Sequence, residues 1–399
     1  MHHLLRFTCF ITVISIVASI TEAFQFPKIK FVGLSNKYDE NEPTNRVKKG
    51  PEEAALLQQS LEEHCNKNYD TSMRWEPQIT ESYEAAQVIF EKVAQRGNSS
   101  SILLSFPCLK RPDDIINLAS VLQSSKCKQL LGVRSVSCEL YPKAPAPYIH
   151  IKFDATIVYD VDVKDHNAIE KADSATKHWL KDFLGKYRLC PYTASASLAA
   201  VGLSSVDVPV GGVHIQVEPT SHESDSVAKA ARLVSAFWTE VVTLMKSSQD
   251  EWATSLLVVP EYDDDFKSFV EVCDDVIQPS VVATQATEFI GRAWFHPQYD
   301  TDQVGHTDVV AGHAVPHKMV EEFMISLSES EKIEPIGFDD LASSNNLVRH
   351  TPHATINILR RSQLKAATEY EKGLGAKRPK PNSIYVQNAI RLSKRNKDL

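Results

Sequence analysis

The amino-acid sequence predicts an α/β or α+β fold with a central mixed sheet covered by helices and a smaller α+β N-terminal region. Short apolar runs rich in β-branched residues alternate with longer runs whose apolar residues recur at helical spacing, as in βαβ units. The chain of 399 residues is also 43% hydrophobic and 24% charged, which suits a protein that buries a sizeable core.

The N-terminal region is predicted from three strands and two helices. Ile102–Phe106, Val133–Leu140 and Tyr148–Val158 are apolar or β-branched stretches and are predicted as strands. Pro112–Ser124 repeats its apolar residues at helical spacing and begins with proline, which is favoured in a first helical turn. Ala54–Asn66 is predicted as an amphipathic helix that precedes them.

The second region alternates helices with strands. The predicted helices are Ala168–Tyr187, Asp225–Lys246, Asp264–Cys273, Met319–Leu327 and Pro352–Lys372, and the predicted strands are Gly212–Val217, Ser255–Val259 and Glu288–Phe295. For the last helix, Thr351-Pro352 supplies a capping hydroxyl and a proline at the first helical position. No internal repeat is evident in the residues.

Composition divides the chain into five segments. These are a signal peptide at 1–23, a transit-like segment and linker at 24–52, the N-terminal α+β region at 53–165, an α/β domain at 166–372 and a basic tail at 373–399. Arg6, the apolar run after it and the small residues before Phe24 form the pattern of a cleavable signal. The aromatic Phe24 and the absence of acids between Phe24 and Asp39 resemble the presequences of algae with complex plastids. We therefore expect import into a plastid, with secretion as the alternative.

The charge balance excludes one class of partner. The formal net charge is −8, from 43 basic and 51 acidic side chains, whereas a general nucleic-acid binder needs a basic surface to displace counterions. After the signal peptide no run is long and apolar enough to span a membrane, so we expect no membrane association of the processed chain. A small-molecule ligand is the expected partner, and the oligomeric state stays open.

Two residues that follow predicted elements are candidates for catalysis. Cys190 follows the Trp179 helix directly, where the partial negative charge of the helix end disfavours a thiolate. A nucleophilic Cys190 would therefore need a nearby histidine or arginine, and a buried, space-filling cysteine is the alternative. His296 ends a predicted strand, and ligands of open α/β sheets gather at the carboxyl ends of strands. Strand alternation places Phe295 inward and His296 outward, with a histidine bonded only to backbone as the alternative.

A third group of candidates surrounds the start of the last predicted helix. Thr351 and His353 lie at that start, and Asn357 and Arg360 follow at helical spacing, so His353, Asn357 and Arg360 are predicted to line one side of the helix. Backbone N–H groups together with histidine and arginine side chains suit an anionic ligand. An arginine that is only solvated is the alternative.

The sequence predicts no metal site and leaves the cofactor unknown. His306, His313 and His317 form a loose cluster, but Pro316 separates the last two and no spacing fixes a third ligand. Asp263-Asp264-Asp265 is predicted to cap a helix rather than to hold magnesium, because no phosphate-binding loop accompanies it. The GxGxxG, P-loop and GxSxG patterns are absent.

The ordered motifs from Ala175 to Glu371 resemble a family catalogued as domain of unknown function 1415, from bacteria and algae. The motifs are Trp179 with Leu189-Cys190-Pro191, the strand that ends in Pro260, Phe295-His296-Pro297-Gln298-Tyr299, and Thr351-Pro352 with Leu359-Arg360. His350, Ala354 and Asn357 stand where the family pattern has arginine, proline and histidine, and residues 303–335 resemble an insertion. The resemblance implies no activity, cofactor or substrate.

These residues lead to two hypotheses. The first is an enzyme that acts on a small anionic substrate in a pocket lined by Cys190, His296 and Arg360, with ligand contacts from Tyr299, Thr351, His353 and Asn357. In it, His296 is the general base or activates Cys190, and Arg360 holds the anion. The second is a non-catalytic ligand-binding or scaffold protein in which the same residues cap helices and fill the core.

Overall fold

The N-terminal part of the chain forms a four-stranded sheet with strands in the order β1-β2-β4-β3. The computed structural model describes residues 51–68, 73–140, 147–154, 166–185, 195–220, 225–300, 325, 337–347, 349–375 and 392. The elements of this part are α1 (Pro51–Asn68), β1 (Met73–Trp75), α2 (Ser82–Ala94), β2 (Ser101–Ser105), α3 (Pro112–Leu122), α4 (Ser125–Leu131), β3 (Val133–Leu140) and β4 (Pro147–Phe153). β1 and β2 are parallel, and β4 is antiparallel to both β2 and β3.

Local sequence explains how these elements begin and which faces they bury. Glu81 and Glu84 form a capping box at the start of α2. Side chains alternate across β2, so that Leu104 joins the main core, whereas Leu103 lies on the opposite face with Leu61 of α1. The four-stranded sheet is therefore covered on both faces.

The rest of the chain forms a five-stranded sheet in the order β5-β6-β7-β9-β8. Its elements are α5 (His166–His178) with a π-helical turn (Trp179–Gly185), β5 (Leu198–Ala199), β6 (Gly211–Val217), α6 (Ser226–Lys246), β7 (Trp252–Val258), α7 (Phe266–Val272), α8 (Gln278–Ala283), β8 (Ile290–Phe295), α9 (Phe338–Leu347), β9 (Thr355–Arg360) and α10 (Arg361–Gly375). β6 and β7 are parallel, and the other neighbours are antiparallel. The prediction of a mixed sheet covered by helices is confirmed.

The two sheets repeat one topology. In each, a helix joins two parallel strands, and the last strand lies antiparallel between the second and third, as the orders β1-β2-β4-β3 and β6-β7-β9-β8 state. Only β5 has no counterpart among the described strands. The expectation of a chain without an internal repeat is therefore wrong at the level of the fold, because the repeat lies mainly in strand order.

The helices of the two sheets pack against one another in a shared core. Ile89, Phe90 and Ile115 of the N-terminal part and Phe237 and Trp238 of α6 belong to one cluster of buried residues. The rings of Phe90 and Trp238 are stacked, with centroids 6.4 Å apart. The core thus joins the two predicted regions, 53–165 and 166–372.

The predicted helix Pro352–Lys372 is wrong in its first half. Thr355–Arg360 is strand β9, which pairs with β7 on one side and β8 on the other, and helix α10 begins only at Arg361. Ile356 and Ile358 are two residues apart and both lie in the core, which is the period of a strand. Strand pairing stabilises this conformation although the local sequence has a weak helical pattern. His353, Asn357 and Arg360 therefore do not share a helix face, and Thr351-Pro352 does not start a helix.

Other predictions are confirmed in outline or lie outside the described residues. Helix α6 begins after its cap Asp225 as expected, whereas the predicted helix 168–187 becomes π-helical from Trp179. The presequence up to residue 50, Cys190, the histidines at 306, 313 and 317, the predicted helix 319–327 and most of the basic tail are outside the described residues. Among the helices that the structure describes, none has the length and apolar character needed to cross a membrane.

Candidate functional site

Polar side chains converge at the edge of the five-stranded sheet where β6, β7 and β8 end. Val258 at the end of β7 and Phe295 at the end of β8 both pair with Thr355, the first residue of β9. The segments that follow β7 and β8 and precede β9 are therefore neighbours. They bring together Asp263, Asp265, His296, Tyr299, Thr351 and His353.

His296 lies at this edge as predicted, but its ring points into the protein. The residue has no exposed surface, and it packs against the rings of Phe266 and Phe269. Gln298 N donates to Nδ1 at 2.9 Å, and Nε2 then donates to Tyr262 O at 2.8 Å, so that both ring nitrogens bond to backbone. Burial lowers the pKa of His296, which keeps the ring neutral. The expectation of an outward His296 is wrong because the segment after β7 folds over it.

Arg360 lies at the opposite edge of the sheet and caps helix α6. It pairs in the sheet with Ile290, the first residue of β8, five residues from Phe295 or about 17 Å at strand spacing. Its Nη2 donates to Leu244 O, Ser247 O and Ser248 O at 2.6, 2.8 and 3.1 Å. A cation is favoured at a helix C-terminus, where backbone carbonyls lack helical partners. The structure thus does not bring Arg360 and His296 into one pocket.

His353 and Asp263 form a hydrogen-bonded pair at the carboxyl edge. Nδ1 of His353 lies 2.7 Å from Oδ2 of Asp263, and Ala354 N donates to Oδ1 of the same carboxylate at 2.8 Å. The His353 side chain is 22% exposed, and no described residue bonds its Nε2. The arrangement presents one ring nitrogen to solvent while the carboxylate fixes the other.

The remaining predicted ligand residues divide between the core and the sheet. Tyr299 is 2% exposed and lies beside Phe266 and the Arg349 guanidinium, which is 5.2 Å from its ring centroid. Thr351 donates from its hydroxyl to His353 O at 2.6 Å. Asn357 is half-buried on β9, and Thr254 of β7 donates to its Oδ1 at 2.6 Å. Thr351 and His353 are therefore together, and Asn357 lies further along the strand.

Asp263 has a role that the sequence does not predict. The sequence predicts that the three aspartates cap a helix, and Asp265 does so by accepting from Ser268 N at 3.0 Å. Asp263 instead binds His353, which is distant in sequence. The signal that could have found it is its place after a buried strand, the same criterion that singled out His296.

A second polar cluster, also missed, lies between α6 and the sheet. Ser255 of β7 donates to Oε2 of the buried Glu240 at 2.5 Å, and Nε2 of His214 on β6 lies 3.4 Å from the same oxygen. The hydrogen bond with Glu240 raises the pKa of His214. Among the described residues no group of three or more histidine, cysteine, aspartate or glutamate side chains has an arrangement suited to a metal ion.

Comparison with known proteins identifies a family but no function. No curated protein and no solved structure gave a match. Residues 171–311 match the model of a family described as a protein of unknown function, DUF1415. The matched segment contains Asp263 and His296 and ends before His353. This part of the chain, which spans α5 to β8, is therefore similar to the DUF1415 family.

Proposed function

We propose that the protein is an enzyme in which His353 acts as general acid–base on a small-molecule substrate. The observation that carries the proposal is the Asp263–His353 pair at the carboxyl edge of the five-stranded sheet. With Nδ1–H donating to the carboxylate, the Nε2 lone pair is left to accept a proton. The carboxylate also stabilises the imidazolium that forms when Nε2 takes that proton.

The surroundings of His353 support a fixed orientation, which catalysis requires. Its carbonyl oxygen accepts hydrogen bonds from the hydroxyls of Thr351 and Thr355, at 2.6 and 2.8 Å. The carbonyl oxygen of the next residue, Ala354, accepts from Val259 N, and Ala354 N donates to Oδ1 of Asp263. Ring and backbone are thus held by separate contacts, and Nε2 is the ring atom left for a substrate.

The proposal changes what is expected of the three residues predicted as catalytic. Cys190 lies outside the described residues, and the proposal gives it no role. His296 is not proposed as the base, because both of its ring nitrogens bond to backbone. Arg360 is not proposed to hold an anion, because its guanidinium bonds to the carbonyls that end α6.

The test is the substitution His353→Asn. The asparagine amide can occupy the place of Nδ1–H and keep the bond to Asp263, while Nε2 is removed. A panel of small esters, thioesters, amides and phosphate esters would first identify the best substrate of the wild-type protein. We then expect His353→Asn to lower kcat/KM by about 10²- to 10⁴-fold with little change in Tm.

His178→Asn is the matched control. His178 also bonds an aspartate through Nδ1, at 3.0 Å from Asp182, but it is 77% exposed and lies on α5. Turnover should survive in this variant. Equal turnover in His353→Asn and wild type would show that the Asp263–His353 pair only ties the strand to the preceding segment.

A non-catalytic ligand-binding protein is the second candidate, and Asn357 favours it. β9 is an inner strand of a sheet covered by helices, yet Asn357 on it is only half-buried, which indicates an opening above the strand. In this case a metabolite panel would raise the Tm of the wild type and of His353→Asn alike. Asn357→Leu would remove that stabilisation, and none of the substrate classes would be turned over.

A further inference from the structure

The repeat of topology extends to the register of individual residues. In the first sheet, Leu103 and Leu104 of β2 pair with His150 and Ile149 of β4. In the second sheet, Leu256 and Leu257 of β7 pair with Asn357 and Ile356 of β9. In both sheets, therefore, a Leu-Leu sequence on one strand pairs with an Ile-x-Ile sequence on the next strand in the same register.

Backbone hydrogen bonds at the strand ends repeat as well. Phe106 N donates to Pro147 O just after β2, and Val259 N donates to Ala354 O at the corresponding place after β7. Beyond the last strand of each sheet, Asp154 N donates to Gly132 O and Arg361 N donates to Phe289 O. These bonds continue the register by one residue beyond each strand pair, and shared strand order alone does not require that the register agree.

Traces of the repeat remain in the sequence. Leu-Leu-Ser-Phe-Pro at 103–107 corresponds to Leu-Leu-Val-Val-Pro at 256–260, and Ile-His-Ile at 149–151 corresponds to Ile-Asn-Ile at 356–358. The family match, residues 171–311, covers 256–260 and ends before 356–358. The first sheet is thus a diverged unit outside the match.

The two units meet through their helices. α2 packs against α6, and Phe90 stacks on Trp238 at their contact. α3 also packs against α8, and α4 against the segment just before α8. Each unit therefore covers the apolar helical layer that the other would otherwise expose.

We infer that this helical layer is an interface for a second unit of the same fold, and that residues 73–154 are a duplicated unit that fills it within one chain. The partner that fits the face of α6 is thus another copy of the unit to which α6 belongs. The chain is a dimer-like pair joined covalently, and this inference does not depend on the proposed activity.

The first unit has the apolar helical layer but lacks the polar residues that the second unit has at the carboxyl edge of its sheet. Counted along the sequence from the paired strands, Lys110 falls at the position of Asp263, and Leu140 falls at the position of His296. Ala146, directly before Pro147, corresponds to His353. Of the two sheets, the second therefore has these polar residues at the carboxyl ends of its strands. The N-terminal unit acts as a packing partner and does not form a second site.

The test cuts the connection between the units in the full chain. A protease site is inserted between Asp160 and Val161, which lie between β4 and α5 in the sequence, and the purified full chain is treated with the protease. We expect both fragments to elute together at the mass of the intact chain, and the Tm of the cleaved protein to rise with its concentration. Fragments that separate while each keeps its native circular dichroism would overturn the inference.

Variants at the interface sharpen the result. In the cleaved protein, Phe90→Ala should weaken association at least 100-fold. Leu61→Ala, a large-to-small change on the other face of the first sheet, is the control and should not weaken it comparably. Phe90→Asp should release the N-terminal fragment. The released C-terminal fragments should then pair with each other or unfold, because their helical layer must be covered, and a stable folded monomer would contradict the inference.

Discussion

Replacement of Arg360 by methionine should destabilise the protein although the residue was first predicted to hold a substrate. Methionine keeps the apolar length of the side chain and removes the guanidinium. The buried Leu244 loses a charged donor to its carbonyl, and the half-buried Ser247 and Trp252 each lose one that water can replace in part, whereas Ser248 is exposed. About 1 kcal/mol for Leu244 O, about 1 kcal/mol for the two half-buried carbonyls together and up to about 1 kcal/mol for the helix dipole give about 3 kcal/mol.

The measurement is thermal unfolding followed by circular dichroism at 222 nm. Because the two sheets share one core of about 300 residues, a loss of about 3 kcal/mol lowers Tm by roughly 4–5 °C. Arg361→Met is the control, because Arg361 is the next residue and is exposed. A Tm for Arg360→Met within about 1 °C of the control would refute the capping role. It would also return Arg360 to the list of candidate ligand residues.

Three other predictions concern acid–base behaviour, thiols and targeting. The hydrogen bond to Glu240 raises the pKa of His214. The stability that the pair adds is therefore complete below about pH 6.5 and is lost as pH rises through the raised pKa. The Tm difference between wild type and His214→Gln should shrink from pH 6 to pH 8.5. A thiol-selective reagent at pH 8 should label the exposed Cys108 and spare Cys127, whose pKa burial raises to about 11, until the protein unfolds. Residues 1–52 fused to a fluorescent protein should direct it to the plastid of an alga with complex plastids, and fluorescence in the medium would indicate secretion instead.

Much of the fold could be predicted because its strands are short and strongly patterned. Val133–Leu140 was placed at its observed bounds, and α6 was placed to within a residue. β9 was missed because Thr355–Arg360 has only six residues and is followed at once by a helix, so that one helical pattern seemed to run through both. Pairing with β7 and β8 decides the conformation of this segment, and such pairing is invisible in local periodicity.

The sequence predicted where the candidate site lies better than it predicted which residues could act there. His296 was expected at the carboxyl edge of the sheet because it follows a predicted strand, and it lies there. It could not show that Tyr262 O and Gln298 N would engage both ring nitrogens, because those bonds depend on how two segments fold over one another. The partner of His353 was missed for the same reason, since Asp263 is ninety residues away in the chain.

The duplicated unit offers an internal control on the meaning of the Asp263–His353 pair. Phe106 N bonds Pro147 O in the first unit, and Val259 N bonds Ala354 O at the corresponding place in the second. Pro147 has no N–H, whereas Ala354 N donates to Asp263 Oδ1, so that this oxygen has a structural role. The bond between Asp263 Oδ2 and His353 Nδ1 is separate from the pairing of these strands. That bond fixes a histidine ring whose Nε2 bonds no described residue, and it supports a role in chemistry at the edge of the second sheet.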